Sequence, residues 1–335
     1  MTLAIDIHSH FLPAEWPDLA ARFGTPDWPW MKHLGDGKAM IMVGDREFRP
    51  VHEDLWNGAR RIAAMDAHGI DIQVMSATPV MFSYERPAAH ASEVARIFNA
   101  AAREICAHDP KRLKSLCQVP LQDTDAACAE LDTAMAEGHI GVQIGNHVGE
   151  RNLDDAGLVT FLHHCADVGA AVLIHPWDMM AQARMPKYMM SWLVGMPAET
   201  QLSILSLILS GAFEKLPRNL RICFAHGGGS FAFLLGRVDN AWRHRDIVRA
   251  DCPQLPSSYT DRFYVDSAVF NEDALALLVK VMGEDRVVLG SDYPFPLGEQ
   301  VVGKMIREDD GISPDLRAKL MGLNAARFFG LERGN

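Results

Sequence analysis

Leu3-Ala4-Ile5-Asp6-Ile7-His8-Ser9-His10, residues 3–10, is a short apolar run that ends on two histidines, and seven comparable runs follow it along the chain. These are expected as strands at 70–77, 113–120, 140–146, 170–176, 220–226, 263–268 and 286–291. Most are continuously apolar rather than alternating, as strands covered on both faces are. Segments of helical period, rich in Ala, Glu and Leu, lie between them at 88–108, 124–137, 154–168, 199–214, 231–247 and 271–282. Strand and helix alternate from end to end, so the expected fold is α/β, a distorted (β/α)8 TIM barrel. A doubly wound parallel sheet is the alternative, because sequence does not reveal closure.

Four of the eight runs release metal-binding side chains where they stop. His8 and His10 leave the first, His175 follows Ala171-Val172-Leu173-Ile174, His226 follows Ile222-Cys223-Phe224-Ala225, and Asp292 follows Val287-Val288-Leu289-Gly290-Ser291. Parallel strands of a barrel all finish at one rim, so residues far apart in the chain meet there. Alternate side chains share a face of a strand, which sends His8 and His10 into one cavity and Ser9 elsewhere. Neutral imidazoles with a carboxylate suit a borderline divalent ion such as zinc, and a mixed N/O set with an open position is catalytic rather than structural. The expected ligands are His8, His10, His175 and Asp292, holding one ion. Taken singly, each has a plainer reading: a strand histidine can be a hydrogen-bonded core residue, and Asp292 can cap the turn before Tyr293-Pro294. Their placement at one rim favours the metal.

A chain of 335 residues, 48% hydrophobic, is long enough for one large barrel, and a single domain spanning residues 1–335 is expected. The formal charge is -11, from 32 basic and 43 acidic residues, with no Lys/Arg-rich run or zinc-finger spacing. Neither nucleic acid nor a membrane surface is therefore an expected partner. The six cysteines lack any C-x-x-C pair and read as reduced, packed thiols. No basic leader precedes an apolar stretch at the start, and no segment reaches about 18 uninterrupted apolar residues, so a soluble cytoplasmic protein is expected.

Two connections are unusually long. Within 11–60, the run Lys38-Ala39-Met40-Ile41-Met42-Val43, the turn Gly44-Asp45 and the run from Glu47 to Val51 read as an antiparallel hairpin inserted after strand one. Residues 177–198, with Pro186, Trp192 and Pro197, read as a lid or a subunit contact. The segment 314–329 reads as a closing helix, with Ser313 as N-cap directly before Pro314.

The run Asp6-Ile7-His8-Ser9-His10-Phe11, with Ala225-His226-Gly227-Gly228-Gly229 and Gly290-Ser291-Asp292-Tyr293-Pro294, resembles the amidohydrolase superfamily over essentially the whole barrel. Strand four departs from the pattern: it ends Gly141-Val142-Gln143-Ile144-Gly145-Asn146 and offers no lysine. Binuclear members commonly carry a carboxylated lysine there, so the departure points to a single metal and weakens hydrolysis, although mononuclear lactonases and deaminases keep that class open. A closer resemblance is to the superfamily's non-oxidative decarboxylases, especially those acting on 2-amino-3-carboxymuconate 6-semialdehyde. It is carried by Phe48-Arg49-Pro50-Val51, Ala77-Thr78-Pro79-Val80-Met81-Phe82, His175-Pro176-Trp177-Asp178-Met179-Met180 and the block from Ala225 to Arg237. It continues through Asp239-Asn240-Ala241-Trp242-Arg243-His244-Arg245 and Asp292-Tyr293-Pro294-Phe295-Pro296-Leu297-Gly298.

The resemblance implies a carboxy-lyase that converts this semialdehyde to 2-aminomuconate 6-semialdehyde and carbon dioxide, a step that serves tryptophan and nitroaromatic breakdown alike. It also implies a homodimer. A small unsaturated dicarboxylate needs fixed positive donors, and arginine matches carboxylate geometry with a planar fork. By resemblance these are Arg49 and Arg237, the second reaching the neighbouring subunit's site, with Arg245 at a further family position; surface or interface pairing with Asp239 or Asp246 is the plainer reading. His226 is implied as the acid/base, a role imidazole suits by its intrinsic pKa, and Asp292 shares metal binding with orientation of water or of His226. Thr78, Trp192, Met179, Met180 and Phe295 are candidate walls for the conjugated chain, or else ordinary packing. Chemistry of this kind needs no organic cofactor. The rivals are a decarboxylase of hydroxybenzoate-type acids, a mononuclear lactonase or amide hydrolase, and a non-enzymatic binding protein on a retained barrel.

Overall fold

The structure, a computed structural model, describes residues 3–331. Eight parallel strands carry it: β1 (Ile5–Phe11), β2 (Ile72–Ala77), β3 (Leu113–Ser115), β4 (Gly141–Gly145), β5 (Ala171–His175), β6 (Arg221–Phe224), β7 (Tyr264–Asp266) and β8 (Val287–Val288). Hydrogen-bonded ladders join the first three strands and, separately, the last five. Two bridges link these groups edge to edge, Cys117 with Val142 and Ser9 with Tyr293. They are backed by Cys117 N donating to Gly141 O at 2.9 Å and His10 N donating to Tyr293 O at 2.7 Å. The sheet therefore closes on itself as a distorted barrel, and the doubly wound alternative falls because both edges that an open sheet would leave are paired.

The continuous apolar runs are explained by two packing layers. Their outer faces meet the surrounding helices, with Val142, Ile174, Ile222 and Val265 fully buried. Their inner faces fill the barrel with Ile5, Ile7, Leu173, Cys223 and Val288, and Phe328 and Phe329 from helix Asn324–Phe329 plug this floor. The ring of Phe328 packs 5.1 Å from that of Tyr264, the first residue of β7. With the N-terminal end of the barrel filled by aromatics, the C-terminal rim is left for chemistry. Helices Thr124–Ala136, Ala156–Asp167 and Glu272–Met282 begin where Asp123, Asp155 and Asn271 accept hydrogen bonds from first-turn amides, each cap worth about 1 kcal/mol.

Between β1 and β2 the chain forms a three-stranded antiparallel sheet, Pro29–Gly35, Lys38–Val43 and Arg46–His52. Its first strand is mostly exposed and carries no alternation, which is why only the other two are readable from sequence. Helix Gly58–His68 follows, capped by Asn57. The expected 199–214 helix is two, Met196–Leu209 and Ala212–Lys215, broken at Gly211 with φ 71°. Ser191–Leu209, 19 residues, is the one stretch among the described residues long and apolar enough to cross a membrane. Here its Ser203, Ile204, Leu207 and Ile208 are buried against the barrel wall.

Candidate metal centre

The site starts with a register shift. The ladder between β1 and β2 slips between Asp6 and Ser9, and a bulge of this kind turns consecutive side chains to one face. Ile7 thereby joins the interior apolar cluster while His8 and His10 both enter the cavity above it. Their rings lie 5.0 Å and 4.9 Å from that of His175 at the end of β5. The His226 ring, just past β6, is 5.0 Å from His8 and 4.9 Å from His175. Asp292, after β8, completes the group: its Oδ1 is 3.1 Å from His10 Nε2 and 3.5 Å from His8 Nε2, and its Oδ2 is 3.6 Å from His226 Nε2.

His8, His175, His226 and Asp292 offer ligand atoms that all lie within 4.8 Å of one another. His10 approaches through Asp292 instead. All five expected residues therefore meet in one cup, and the compact four include His226, which sequence reasoning placed beside the ion. Five buried imidazole nitrogens here, His8 Nε2, His10 Nδ1 and Nε2, His175 Nε2 and His226 Nδ1, have no hydrogen-bond partner among the described residues. Orphaned buried polar atoms are costly unless something fills the space between them, so a donor set of this kind fits a divalent cation. Two ring orientations are already set. His8 Nδ1 donates to Asp266 Oδ2 at 2.6 Å and His175 Nδ1 donates to Pro176 O at 3.0 Å, which points each Nε2 inward as metal ligation requires.

Burial pulls the His10 imidazole down to about 4 against the opposing pull of Asp292, and burial also holds His175 well below its ordinary value. Both are neutral at pH 7, with lone pairs to give. His8 is buried too, yet its bond to Asp266 and the surrounding carboxylates raise it to about 9. Burial alone would lift the Asp292 carboxyl; the imidazoles of His10 and His226 hold it well below the usual carboxylate range. Backbone strain collects at the same place. His226 has φ 53° and Asp292 φ 61°, conformations that cost about 1–3 kcal/mol each in a non-glycine residue.

Three supporting groups were not singled out from sequence. Asp266, the last residue of β7, is fully buried; the expected strand 263–268 ran two residues past it, which hid it as a strand-exit residue. Beneath the rim, Gln73 Nε2 donates to Asp6 Oδ2 at 2.9 Å, and Asp6 also accepts from Ser291 N at 3.1 Å and Ser291 Oγ at 2.7 Å. Arg61, 1% exposed, donates to Gln73 Oε1 at 2.8 Å and to the carbonyl of His10 at 2.5 Å. In β4, which holds no lysine, Gln143 is buried with its Nε2 donating to Ala77 O at 2.8 Å. Among the described residues there is one His/Cys/Asp/Glu group suited to an ion.

The inserted sheet folds over the cup. The Arg49 guanidinium lies 4.7 Å from the Phe295 ring centre and 5.8 Å from that of Trp192, and Phe295 packs 5.2 Å from His10. Burial lowers Arg49 from its ordinary value while the charge of Asp292 pulls the other way. Met179 is buried and Met180 exposed on the same loop. Thr78 is buried with its hydroxyl donating to Phe11 O at 3.2 Å. Arg237 and Arg245 lie elsewhere, both exposed, at helix Phe231–His244 and its C-terminal cap. Asp239 and Asp246 pair with Arg243 and Arg249 rather than with either of them. Gly227, Gly228 and Gly229 all have positive φ, and a Cβ at Gly229 would stand 2.3 Å from Pro197 O; the glycines seat the turn against helix Met196–Leu209.

The sequence profile of the family described as "Amidohydrolase" matches residues 5–331. A "2-amino-3-carboxymuconate-6-semialdehyde decarboxylase" of Dictyostelium discoideum is 42% identical over 333 residues, covering 99% of this chain and 92% of the relative. One of the same description from Caenorhabditis elegans is 31% identical, covering 98% and 94%. Among solved structures, a 5-carboxyvanillate decarboxylase of Novosphingobium aromaticivorans, complexed with manganese and 4-hydroxy-3-methoxy-5-nitrobenzoic acid, superposes with a TM-score of 0.79 at 25% identity, covering 98% of this chain and 96% of that one.

Proposed function

The chain belongs to the amidohydrolase family, and from that premise we propose that this carbon–carbon lyase releases carbon dioxide from 2-amino-3-carboxymuconate 6-semialdehyde, giving 2-aminomuconate 6-semialdehyde. The observation that carries the substrate is the end-to-end similarity to the Dictyostelium protein. His8, His10, His175 and Asp292 would hold one divalent ion, zinc by their donor chemistry, with manganese the ion named for a solved relative. When bound, such an ion acidifies water and stabilises developing negative charge.

The chain's own residues do the rest. His226 delivers a proton to the carbon that loses its carboxylate and is then reprotonated from solvent; its Nε2 faces Asp292 Oδ2 at 3.6 Å, which orients the ring. The carbon–carbon bond breaks with its electron pair drawn toward the conjugated aldehyde, and that proton replaces carbon dioxide on carbon. Arg49, held between Phe295 and Trp192, grips one substrate carboxylate as a forked donor. Phe295, Trp192, Met179 and Thr78 line the cup and exclude water.

Arg237 completes the grip from a neighbouring subunit in a homodimer. Support comes from apolar surface: Tyr188 is 82% exposed, Leu193 60% and Phe233 79%, and Phe233 precedes Arg237 by one helical turn on the same face. Exposed large apolar side chains of this kind are a mark of an interface. The deciding experiment supplies the semialdehyde labelled in the departing carboxyl. Label should appear as carbon dioxide, vanish with a chelator and return on adding zinc or manganese. Preference for a hydroxybenzoate-type acid, or ring-opening without carbon dioxide, would overturn the assignment.

A further inference from the structure

We propose that Asp266 is the positioning residue of this centre: it aligns His8 for ligation and, through one backbone amide, fixes the turn that presents His226. The proposal rests on the reading of His8 as a metal ligand. Asp266 is fully buried and divides its two oxygens between the two jobs. Oδ2 accepts from His8 Nδ1 at 2.6 Å, and Oδ1 accepts from Gly227 N at 2.9 Å and Ala268 N at 3.0 Å. The fold makes room for this contact, since a Cβ on Gly290 would stand 2.6 Å from Asp266 Cβ and 2.9 Å from His8 Cβ. No side chain larger than glycine fits between β1 and β7 at that level.

A carboxylate on the far nitrogen of a ligating histidine fixes its tautomer and ring angle. The division of labour makes two substitutions differ. In Asp266→Asn the remaining oxygen still accepts from Gly227 and Ala268, but the amide presents N–H to His8 Nδ1. His8 must then carry its proton on Nε2, the nitrogen that faces the other imidazoles. In Asp266→Ala the Gly227 anchor goes as well, and the strained turn at His226, with φ 53°, loses its tether.

The test uses the full-length protein stripped of metal and titrated with zinc against a chromophoric chelator, together with 15N NMR of labelled histidines in the zinc-loaded protein. In the wild type the His8 signal should show the proton on Nδ1. Asp266→Asn should weaken zinc binding about 10–100-fold. Asp266→Ala should weaken zinc binding and also lower kcat at saturating zinc by up to about a hundredfold, as misplacement of a reacting group does. Wild-type zinc affinity in Asp266→Asn would overturn the proposal alone; so would a wild-type His8 protonated on Nε2, a result independent of any variant's folding. A wild type that takes up no zinc would overturn the metal reading and this proposal with it.

Discussion

Replacing Arg61 with methionine should destabilise the protein by about 3–5 kcal/mol, the range for breaking a buried charged network from one side. Methionine keeps the apolar stem and removes the guanidinium. That group is 1% exposed and donates to His10 O at 2.5 Å, Gln73 Oε1 at 2.8 Å, Asp54 O at 3.1 Å and Ser9 Oγ at 3.3 Å. The three shorter bonds deprive two buried acceptors and one half-buried one of a donor, at about 1–3 kcal/mol each. Against that loss, the variant no longer desolvates a cation, which returns several kcal/mol. Tyr293, whose ring centre is 5.3 Å from the guanidinium carbon, also loses its cation partner, about 1 kcal/mol. The measurement is urea unfolding of metal-free protein by circular dichroism, with the midpoint compared at constant m-value. Exposed Arg243→Met serves as control, expected within about 0.5 kcal/mol of wild type. A loss in Arg61→Met below about 1 kcal/mol would refute the view that this arginine ties the β1 exit to the inserted segment.

His226→Ala should lose carbon dioxide release by about 10²–10⁴-fold, the usual contribution of a positioned acid/base, while metal analysis shows the ion retained; normal turnover would remove His226 from the mechanism. A metal-site variant mixed with Arg237→Ala should regain activity in hybrid dimers, and proven subunit exchange without recovery would count against a shared site. His139 is buried and its Nδ1 meets Ser115 Oγ at 2.9 Å; burial pulls it from 6.5 to about 4. Its contribution to stability is complete above pH 6.5 and declines as pH falls toward 4, because only the unfolded chain binds the proton there, by about 3 kcal/mol in all. His139→Phe should flatten the stability profile across that window relative to wild type, and parallel profiles would refute the assignment.

Apolar periodicity carried most of the barrel into the sequence because parallel strands covered on both faces leave long unbroken apolar runs, and all eight are legible as such. Their ends are not. Expected strands such as 113–120 and 286–291 shrink to Leu113–Ser115 and Val287–Val288, since apolar burial continues past the last ladder hydrogen bond. Helix Gly58–His68 escaped because its buried face holds Gly58, Arg61 and Met65. A guanidinium on the inward stripe erases the apolar period by which a helix is recognised. The site was legible through residue type at strand exits, which is how His8, His10, His175, His226 and Asp292 stood out.

What the sequence determined by itself is the chemistry on offer: imidazoles and a carboxylate at the ends of parallel strands, and a fourth strand without a lysine. Tertiary structure decided which of those groups meet. Closure through Ser9–Tyr293 and Cys117–Val142 sets strands β1 and β8 side by side, and the β1 bulge aims both histidines inward. Only then does Asp266, from a strand read as plain core, reach His8 at 2.6 Å. The physical reason is range: an apolar pattern is written locally, whereas ligand distances and hydrogen bonds depend on register between segments more than 250 residues apart, which no local preference encodes.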